Sequence, residues 1–311
     1  MSVKSSGAAL SRLLSEQRPL VVPGVFSAMS ARIFEKAGFE ALYMTGFGVS
    51  ASLLGMPDAG LITMSEMRDS ARLIAQATRV PLIADADTGF GNAVNVTRTV
   101  REYIRASVAA IQLEDQVSPK RCGHVAGRRL IPLAEAQGKL RAAVDTRNAC
   151  DPDCLIIART DARGVSGGGL EHAIERGLAY EEAGADLVFL EGLETEDEIV
   201  IAAERVSAPL VYNVAGGSPR VSAQDLGQMG VSLVLVPVLP LAATMAALWE
   251  IAAALRDQGP IVGDDIDRRL SGSPLQNMFA FLGFPEIRQL EQRYLPPEEM
   301  DKYEGASGFR P

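Results

Sequence analysis

The sequence of 311 residues predicts an α/β protein folded as a (β/α)8 barrel. Eight short apolar or β-branched runs recur along the chain, and segments with helical spacing alternate with them. Near-continuous apolar runs indicate strands that are buried on both faces, as in a parallel sheet covered by helices. Eight strand–helix units over about 250 residues are typical of a closed barrel. A doubly wound open sheet is the alternative, although no G-x-G-x-x-G motif follows the first strand.

The elements follow one another at regular spacing. The predicted strands lie at residues 19–24, 41–46, 80–87, 109–115, 154–160, 185–192, 208–213 and 231–237. Amphipathic segments predict helices at residues 27–37, 65–77, 95–106, 133–148, 169–183 and 195–206. Gly184 follows one of these helices at the position where glycine commonly ends a helix. The uncharged run at 231–249 contains two prolines and lacks flanking basic anchors, which favours a buried strand and an Ala-rich helix over a membrane span.

Composition excludes several classes of protein. With 47% hydrophobic and 22% charged residues, the chain has a globular balance. The net charge of −9 disfavours binding to nucleic acid or to an anionic membrane. Two histidines and three cysteines without zinc-site spacing favour a reducing, cytoplasmic location and no disulfide framework.

The last part of the chain differs from the rest. We expect a catalytic barrel over residues 1–257 and a helical tail over 258–311, which packs on the barrel or on a neighbouring subunit because aromatic side chains bury large areas. Its aromatic residues are Phe279, Phe281, Phe284, Tyr294, Tyr303 and Phe309.

Polar residues stand where each predicted strand ends, which is where barrels of this kind carry their active sites. Several carboxylates at one mouth repel each other unless a cation lies among them, and oxygen ligands favour Mg²⁺, or Mn²⁺. Alternatively, Asp115 or Asp161 caps a following helix, and Asp58 either joins the metal shell or shapes a turn. The residues at the strand ends are Tyr43, Thr45, Gly46, Asp85, Asp87, Glu114, Asp115, Arg159, Asp161, Glu191 and Asn213.

A long loop at 118–132 has the features of a lid. Its Cys122 is flanked by Lys120, Arg121 and His124, and their positive charge predicts a thiolate that exchanges protons near neutral pH, unless this is a chance surface cysteine. Arg159 ends an apolar strand and suits a two-point hold on a carboxylate or phosphonate, or else a structural ion pair with one of the acids.

Five motifs together resemble the isocitrate lyase / phosphoenolpyruvate mutase superfamily. They are TGFGVSASLLGMPD at 45–58, DADTGFGN at 85–92, LEDQ at 113–116, PKRCGH at 119–124 and IIARTDA at 156–162. The resemblance implies a small carboxylate substrate and a dimer of dimers in which the C-terminal helix is exchanged between subunits. It also implies Mg²⁺ held by Asp85, Asp87 and Glu114, with Asp58 acting through water, and Cys122 as the proton donor of the lyases.

The predicted site is therefore as follows: catalytic groups Cys122, Tyr43, Arg159 and His124; substrate contacts from Thr45, Gly46, Phe47, Lys120, Gly123, Arg159, Glu191 and Asn213; metal ligands Asp85, Asp87, Glu114 and Asp58. The implied reaction is retro-aldol cleavage of a 2-hydroxy di- or tricarboxylate, with Tyr43 as a proton relay. The alternatives are a phosphonomutase, an oxaloacetate hydrolase or decarboxylase, and a silent dicarboxylate-binding barrel.

Two segments depart from the superfamily pattern. After the seventh strand the chain reads NVAGGSPR (213–220), with Ala215 where many relatives have an acid. After the eighth it reads VPVLP (236–240). Both changes make the pocket more apolar, so they bear on the substrate and leave the metal ligands intact.

Overall fold

The computed structural model of the protein describes residues 6–16, 19–304 and 306–309. The chain forms two compact units that divide between Thr244 and Met245.

The first unit is a closed barrel of eight parallel strands. Neighbouring strands follow chain order, and β8 pairs with β1 to close the barrel. This confirms the predicted fold and excludes the open doubly wound sheet. The strands are β1 (Leu20–Val25), β2 (Leu42–Met44), β3 (Leu82–Asp85), β4 (Ala110–Glu114), β5 (Leu155–Thr160), β6 (Leu187–Leu190), β7 (Leu210–Asn213) and β8 (Val231–Val236).

Helices alternate with the strands, and all six predicted helices are present with ends shifted by no more than two residues. Side-chain caps fix several of their starts: Ser27, Thr63 and Asn92 each accept a hydrogen bond from the first turn of the helix that follows. The helices of this unit are α1 (Ser6–Glu16), α2 (Ala28–Lys36), α3 (Gly46–Val49), α4 (Met64–Ala77), α5 (Ala93–Arg105), α6 (Leu133–Cys150), α7 (Leu170–Glu182), α8 (Glu196–Arg205), α9 (Ala223–Gln228) and α10 (Leu239–Gln258), which runs on into the second unit.

The amino end of the barrel is closed by α1. Its Leu10 and Leu13 belong to the same buried cluster as Leu20 and Leu233, residues near the starts of β1 and β8. Gly7 lies so close to the chain at Asp153 that a Cβ there would be 2.0 Å from the Asp153 carbonyl oxygen. The open mouth of the barrel is therefore at the carboxyl ends of the strands.

The apolar run at 231–249 forms β8 and the start of α10, as predicted. The strand is buried, and so is Leu241 of the helix. Met245, Leu248 and Trp249 are exposed on the single chain, with Trp249 at 78%. By length and composition alone, Leu239–Leu270 could cross a membrane. Because a helix that packs on a neighbouring protein surface has the same composition, this is weak evidence for a span.

The second unit is helical. Phe279 contacts the ring of Phe284 at 5.7 Å and stacks on Phe309 at 5.6 Å, so part of the predicted aromatic cluster packs on itself. After α10 its helices are α11 (Gly263–Leu270), α12 (Met278–Leu282) and α13 (Phe284–Tyr294).

Candidate active site

The ends of β3 and β4 bring the first acids together. Asp85 ends β3, and its carboxylate accepts hydrogen bonds from the backbone amides of Gly46 (3.1 Å) and Asp87 (3.0 Å). Asp87 lies in the left-handed region with φ +47°, a conformation that Asp tolerates better than most residues. Its carbonyl accepts from the Glu114 amide at 2.9 Å, which fixes the two strand ends side by side. In this arrangement the Gly46 amide serves Asp85 and does not line the cavity.

Lys120 places a buried ammonium among these acids. Its Nζ lies 2.6 Å from Asp58 Oδ1 and 2.8 Å from Asp87 Oδ1, and the residue is 4% exposed. Burial opposes the charge of Lys120, but Asp87, Glu114 and Asp58 outweigh it and hold the pKa of the ammonium well above its ordinary value. Burial also raises the pKa of Asp87 to about 6, against the lowering effect of Lys120. Asp58 is thus an ion-pair partner of the lid.

The donor set fits a hard divalent cation. Asp85, Asp87 and Glu114 offer only carboxylate oxygens, and Glu114 Oε1 is buried without a hydrogen-bond partner. Burial raises the pKa of Glu114 well above its ordinary value, against the lowering effects of Lys120 and Arg159. Among the described residues no three metal-binding side chains form a ready-made cage. Mg²⁺ does not require one, since it is usually held by one or two carboxylates with water and substrate oxygens.

Arg159 crosses the mouth from the end of β5. Its guanidinium donates two hydrogen bonds to Asp161, at 3.1 and 3.0 Å, and lies 3.4 Å from Glu191 Oε2 and 3.6 Å from Glu114 Oε2. Burial opposes its charge, but Asp161 and Glu191 raise the pKa of Arg159 well above its ordinary value. The structural ion pair that we considered for Arg159 is therefore present, and the side chain also lines the cavity.

The predicted lid is a hairpin-like loop with a fixed base. Gln116 and Leu130 form an antiparallel bridge, and the Gln116 side chain bonds both the carbonyl (2.8 Å) and the amide (2.9 Å) of Arg121. At its centre the Cys122 amide donates to the Asp58 carbonyl at 3.0 Å. A Cβ on Gly123 would lie 2.2 Å from Arg159 Nη2, so only glycine allows this close approach.

The prediction that Cys122 is a thiolate near neutral pH is wrong. Burial raises the pKa of the Cys122 thiol and outweighs the lowering effects of Arg159 and Lys120. The ammonium of Lys120 is paired with Asp58 and Asp87, and Arg121 is exposed. The side chain nevertheless lines the cavity. Of the other two cysteines, Cys150 is exposed and Cys154 is buried.

His124, Glu191 and Asn213 complete the far side of the mouth. His124 Nε2 lies 3.6 Å from Glu191 Oε1, and Asn213 Nδ2 donates to Glu191 Oε2 at 3.0 Å. The imidazole of His124 also lies against Gly216, in the loop after β7 that differs from the superfamily pattern. The lid thus contacts the carboxyl ends of β6 and β7 as well as those of β3 and β5.

A cavity of about 420 Å³ lies at the centre of these groups. Four of the predicted site residues do not line the cavity and lie behind its wall: Lys120, Asp87, Glu114 and Gly46. One wall is apolar and comes from the segments that depart from the superfamily pattern: Ala215, Pro237 and Val238, with Leu235. The predicted residues that line it are Tyr43, Thr45, Phe47, Asp58, Asp85, Cys122, Gly123, His124, Arg159, Glu191 and Asn213.

Sequence reasoning missed Gln112. Its Oε1 accepts from the Tyr43 hydroxyl at 3.2 Å, and its Nε2 lies 3.4 Å from Asp85 Oδ1. The signal was the alternation of Gln112 and Glu114 in β4, which puts both side chains on one face. Burial, and then Asp85, raise the pKa of Tyr43 well above its ordinary value, so its phenol stays protonated.

Asp115 caps no helix. It lies behind the site, where its Oδ2 accepts hydrogen bonds from Thr160 (2.6 Å), Tyr180 (2.6 Å) and Arg176 (2.9 Å). Its Oδ1 accepts the Asp161 amide at 3.1 Å. Asp115 therefore anchors the strand ends that carry Arg159 and Asp161 to α7.

A closed barrel whose open mouth carries acids, a buried arginine and a lid has the arrangement of an enzyme active site. Comparison with known proteins agrees. The profile of the family described as phosphoenolpyruvate phosphomutase matches residues 10–256. The 2,3-dimethylmalate lyase of Eubacterium barkeri is 44% identical over 292 residues, covering 93% of this chain and 98% of that one. The 2-methylisocitrate lyase of Aeropyrum pernix is 44% identical over 255 residues, covering 81% and 80%.

Solved structures give the same result. A crystal structure of 2,3-dimethylmalate lyase superimposes with a TM-score of 0.86 at 33% identity, over 98% of this chain and 99% of that one. Oxaloacetate acetylhydrolase with 3,3-difluorooxalacetate gives 0.85 at 36% identity, over 93% and 97%. Phosphonopyruvate hydrolase with oxalate and Mg²⁺ gives 0.82 at 34%, over 94% and 100%.

The chain belongs to the phosphoenolpyruvate mutase family, within the isocitrate lyase / phosphoenolpyruvate mutase superfamily. The resemblance stated from the five motifs is confirmed, and so is the prediction of an enzyme in the lyase group of this superfamily.

Proposed function

We propose that this enzyme cleaves a C–C bond in a 2-hydroxy di- or tricarboxylate of the alkylmalate or 2-methylisocitrate type, with Mg²⁺ as cofactor. The observation that carries the proposal is the position of Cys122. Its thiol lines the cavity together with Arg159, and burial keeps it in the protonated form that a proton donor requires.

The retro-aldol step follows from the groups around the cavity. Arg159 holds one substrate carboxylate. Asp85, Asp87 and Glu114 would hold Mg²⁺, and the ion would supply stabilisation of negative charge on the substrate oxygens. The O–H bond of the 2-hydroxyl and the C2–C3 bond break, a C2 carbonyl forms, and C3 keeps the electron pair. The hydroxyl proton leaves to solvent as the substrate binds, with Tyr43 as the candidate relay. The phenol oxygen of Tyr43 accepts a hydrogen bond from the substrate hydroxyl, and its own hydroxyl donates to Gln112 Oε1.

Cys122 then donates its proton to C3, which completes the second carboxylate product. The Cys122 thiolate left after proton donation takes a proton from solvent once the products leave, so the cycle balances. The lid excludes water that would otherwise compete for the carbanion. His124 and Gly123 keep the thiol in place over the substrate.

The test is product formation followed by proton and phosphorus NMR with Mg²⁺. The panel holds isocitrate, 2-methylisocitrate, 2,3-dimethylmalate, oxaloacetate and phosphonopyruvate, with EDTA and Cys122→Ser as controls. We expect a 2-oxo acid from one hydroxy acid, lost in both controls. A phosphorus shift from phosphonate to phosphate ester would establish a mutase instead, and full lyase turnover by Cys122→Ser would remove the proton-donor role. Metal binding without turnover would leave a silent barrel.

Oxaloacetate hydrolysis is the second candidate. The superposition on oxaloacetate acetylhydrolase at a TM-score of 0.85 favours it. Oxaloacetate loss that survives Cys122→Ser would select this reading, because hydrolysis needs water at the site where the lyase needs the thiol.

The chain is further proposed to act as a cytoplasmic homo-oligomer, a dimer of dimers that exchanges its C-terminal helices. The support is the exposed apolar face of α10, where Met245, Leu248 and Trp249 are each more than 60% exposed on the single chain. Sedimentation velocity tests this directly: a monomer at micromolar concentration would contradict it.

A further inference from the structure

Arg128 is a partly buried cation that the lid brings to the active site. Its side chain is 9% exposed, and its guanidinium donates to Asp161 Oδ1 at 3.1 Å and to the Gly164 carbonyl at 3.0 Å. The next residue, Arg129, is exposed. Two adjacent arginines of one loop therefore have different environments, and only the first reaches the mouth of the barrel.

The oxygen that Arg128 contacts is shared with the substrate-facing arginine. Asp161 Oδ1 also accepts from Arg159 Nη2 at 3.0 Å, and Oδ2 accepts from Arg159 Nε at 3.1 Å. Asp161 is fully buried, and its amide is fixed by Asp115. The carboxylate therefore cannot turn away from either guanidinium.

Because Asp161 is shared with Arg128, the attraction of Arg159 for a substrate anion depends on Arg128. Arg159 faces three carboxylates, those of Asp161, Glu191 and Glu114, which together cancel the attraction it offers to a substrate anion. A second guanidinium on Asp161 offsets part of that cancellation. Because Arg128 belongs to the lid, the offset exists only while the lid lies in place.

We propose that Arg128 is a positioning residue that couples the seated lid to the strength of carboxylate binding by Arg159. The inference deepens the proposed function and rests on its assignment of Arg159 to a substrate carboxylate. It predicts that the lid raises the affinity for a dicarboxylate through Asp161, in addition to covering the cavity.

The experiment is calorimetric titration of the full-length protein with oxalate in the presence of Mg²⁺. Arg128→Met is compared with Arg129→Met, which removes the same charge from the same loop. We expect the Kd for oxalate to rise about tenfold in Arg128→Met, as for the loss of a charge-assisted contact, and to stay within about twofold in Arg129→Met. Arg128→Lys keeps the charge and should bind between wild type and Arg128→Met.

Melting temperatures of the ligand-free proteins separate positioning from mere stability. A structural role would lower the melting temperature of Arg128→Met and leave the oxalate Kd of the folded protein equal to that of Arg129→Met, which would overturn the inference. If wild type failed to bind oxalate, the role of Arg159 and the inference would both fall. Oxalate binding does not require turnover. If no substrate of the panel is turned over but Arg128→Met still binds oxalate more weakly than wild type, the lyase activity is refuted and the role of Arg128 is not.

Discussion

The contact between the lid and the loop after β7 allows a sharp test. Gly216 has φ +56°, and a Cβ built on it would lie 2.4 Å from His124 Nδ1 and 2.7 Å from His124 Cγ. Gly216→Ala therefore places a methyl group under a side chain of the lid. The neighbouring Gly217 has nothing within 4 Å of its would-be Cβ, so Gly217→Ala is a matched control.

Two costs add in Gly216→Ala. The left-handed backbone costs roughly 1–2 kcal/mol for a residue with a Cβ, and this lowers the stability of the whole fold. Relief of the 2.4 Å contact requires the imidazole to retreat by about 1 Å, and overpacking of this kind costs about 1–3 kcal/mol. His124 is not in the core, so the lid moves instead of the barrel. The seated lid should then be about 5- to 150-fold less populated.

The assay is alkylation of Cys122 by iodoacetamide, followed by mass spectrometry in a Cys150→Ser background. Cys122 is partly buried by the seated lid, and its alkylation should rise by the same factor as the open population, while turnover falls. Gly217→Ala should match wild type. Equal alkylation rates in the two glycine variants would refute the reasoning, because they would show that His124 yields without moving the lid.

Three further predictions follow from the site. Asp115→Asn places a side-chain amide where four hydrogen-bond donors meet and weakens the charged contact to Arg176. The free energy of unfolding, measured in urea, should therefore fall by about 3–5 kcal/mol, and it should not change in the exposed control Asp145→Asn. The alkylation rate of Cys122 should still rise steeply above about pH 9.5, where a free cysteine with a pKa of about 8.5 is mostly ionised and its rate levels off, because burial raises the pKa of Cys122. A plateau at or below about pH 9.5 would contradict this. EDTA should abolish turnover, and added Mg²⁺ or Mn²⁺ should restore it; turnover that survives EDTA would refute the metal requirement. Cys122→Ser should lose turnover but still bind oxalate by calorimetry.

The barrel was predictable because its strands and helices are local patterns. Each strand is a short run buried on both faces, and residues such as Asp85 and Arg159 stand where a strand ends, so their convergence follows from the fold alone. The five motifs also made the family predictable, because five short segments in a fixed order are more specific to a family than the spacing of any two residues.

The protonation state of Cys122 was not predictable from the same information. Lys120 is two residues away in sequence, yet its ammonium turns to Asp58 and Asp87, which come from other loops. Burial of the thiol outweighs the lowering effect of Lys120, and the depth at which Cys122 lies is set by the fold and not by its neighbours in sequence. Gln112 was missed for a related reason: a polar residue in an apolar strand acquires meaning only when the hydroxyl of Tyr43 is placed beside it.

The charges around the cavity connect the lid, the metal and the substrate. Six carboxylates are buried here, those of Asp58, Asp85, Asp87, Glu114, Asp161 and Glu191. Within the described residues, three cations pair with them: Arg159, and Lys120 and Arg128 of the lid. A dicarboxylate adds two more negative charges. Strong repulsion would therefore oppose the binding of a dicarboxylate at low dielectric without a further cation. Under the proposed function, this repulsion predicts that a divalent ion and a seated lid are required whichever hydroxy acid is the substrate.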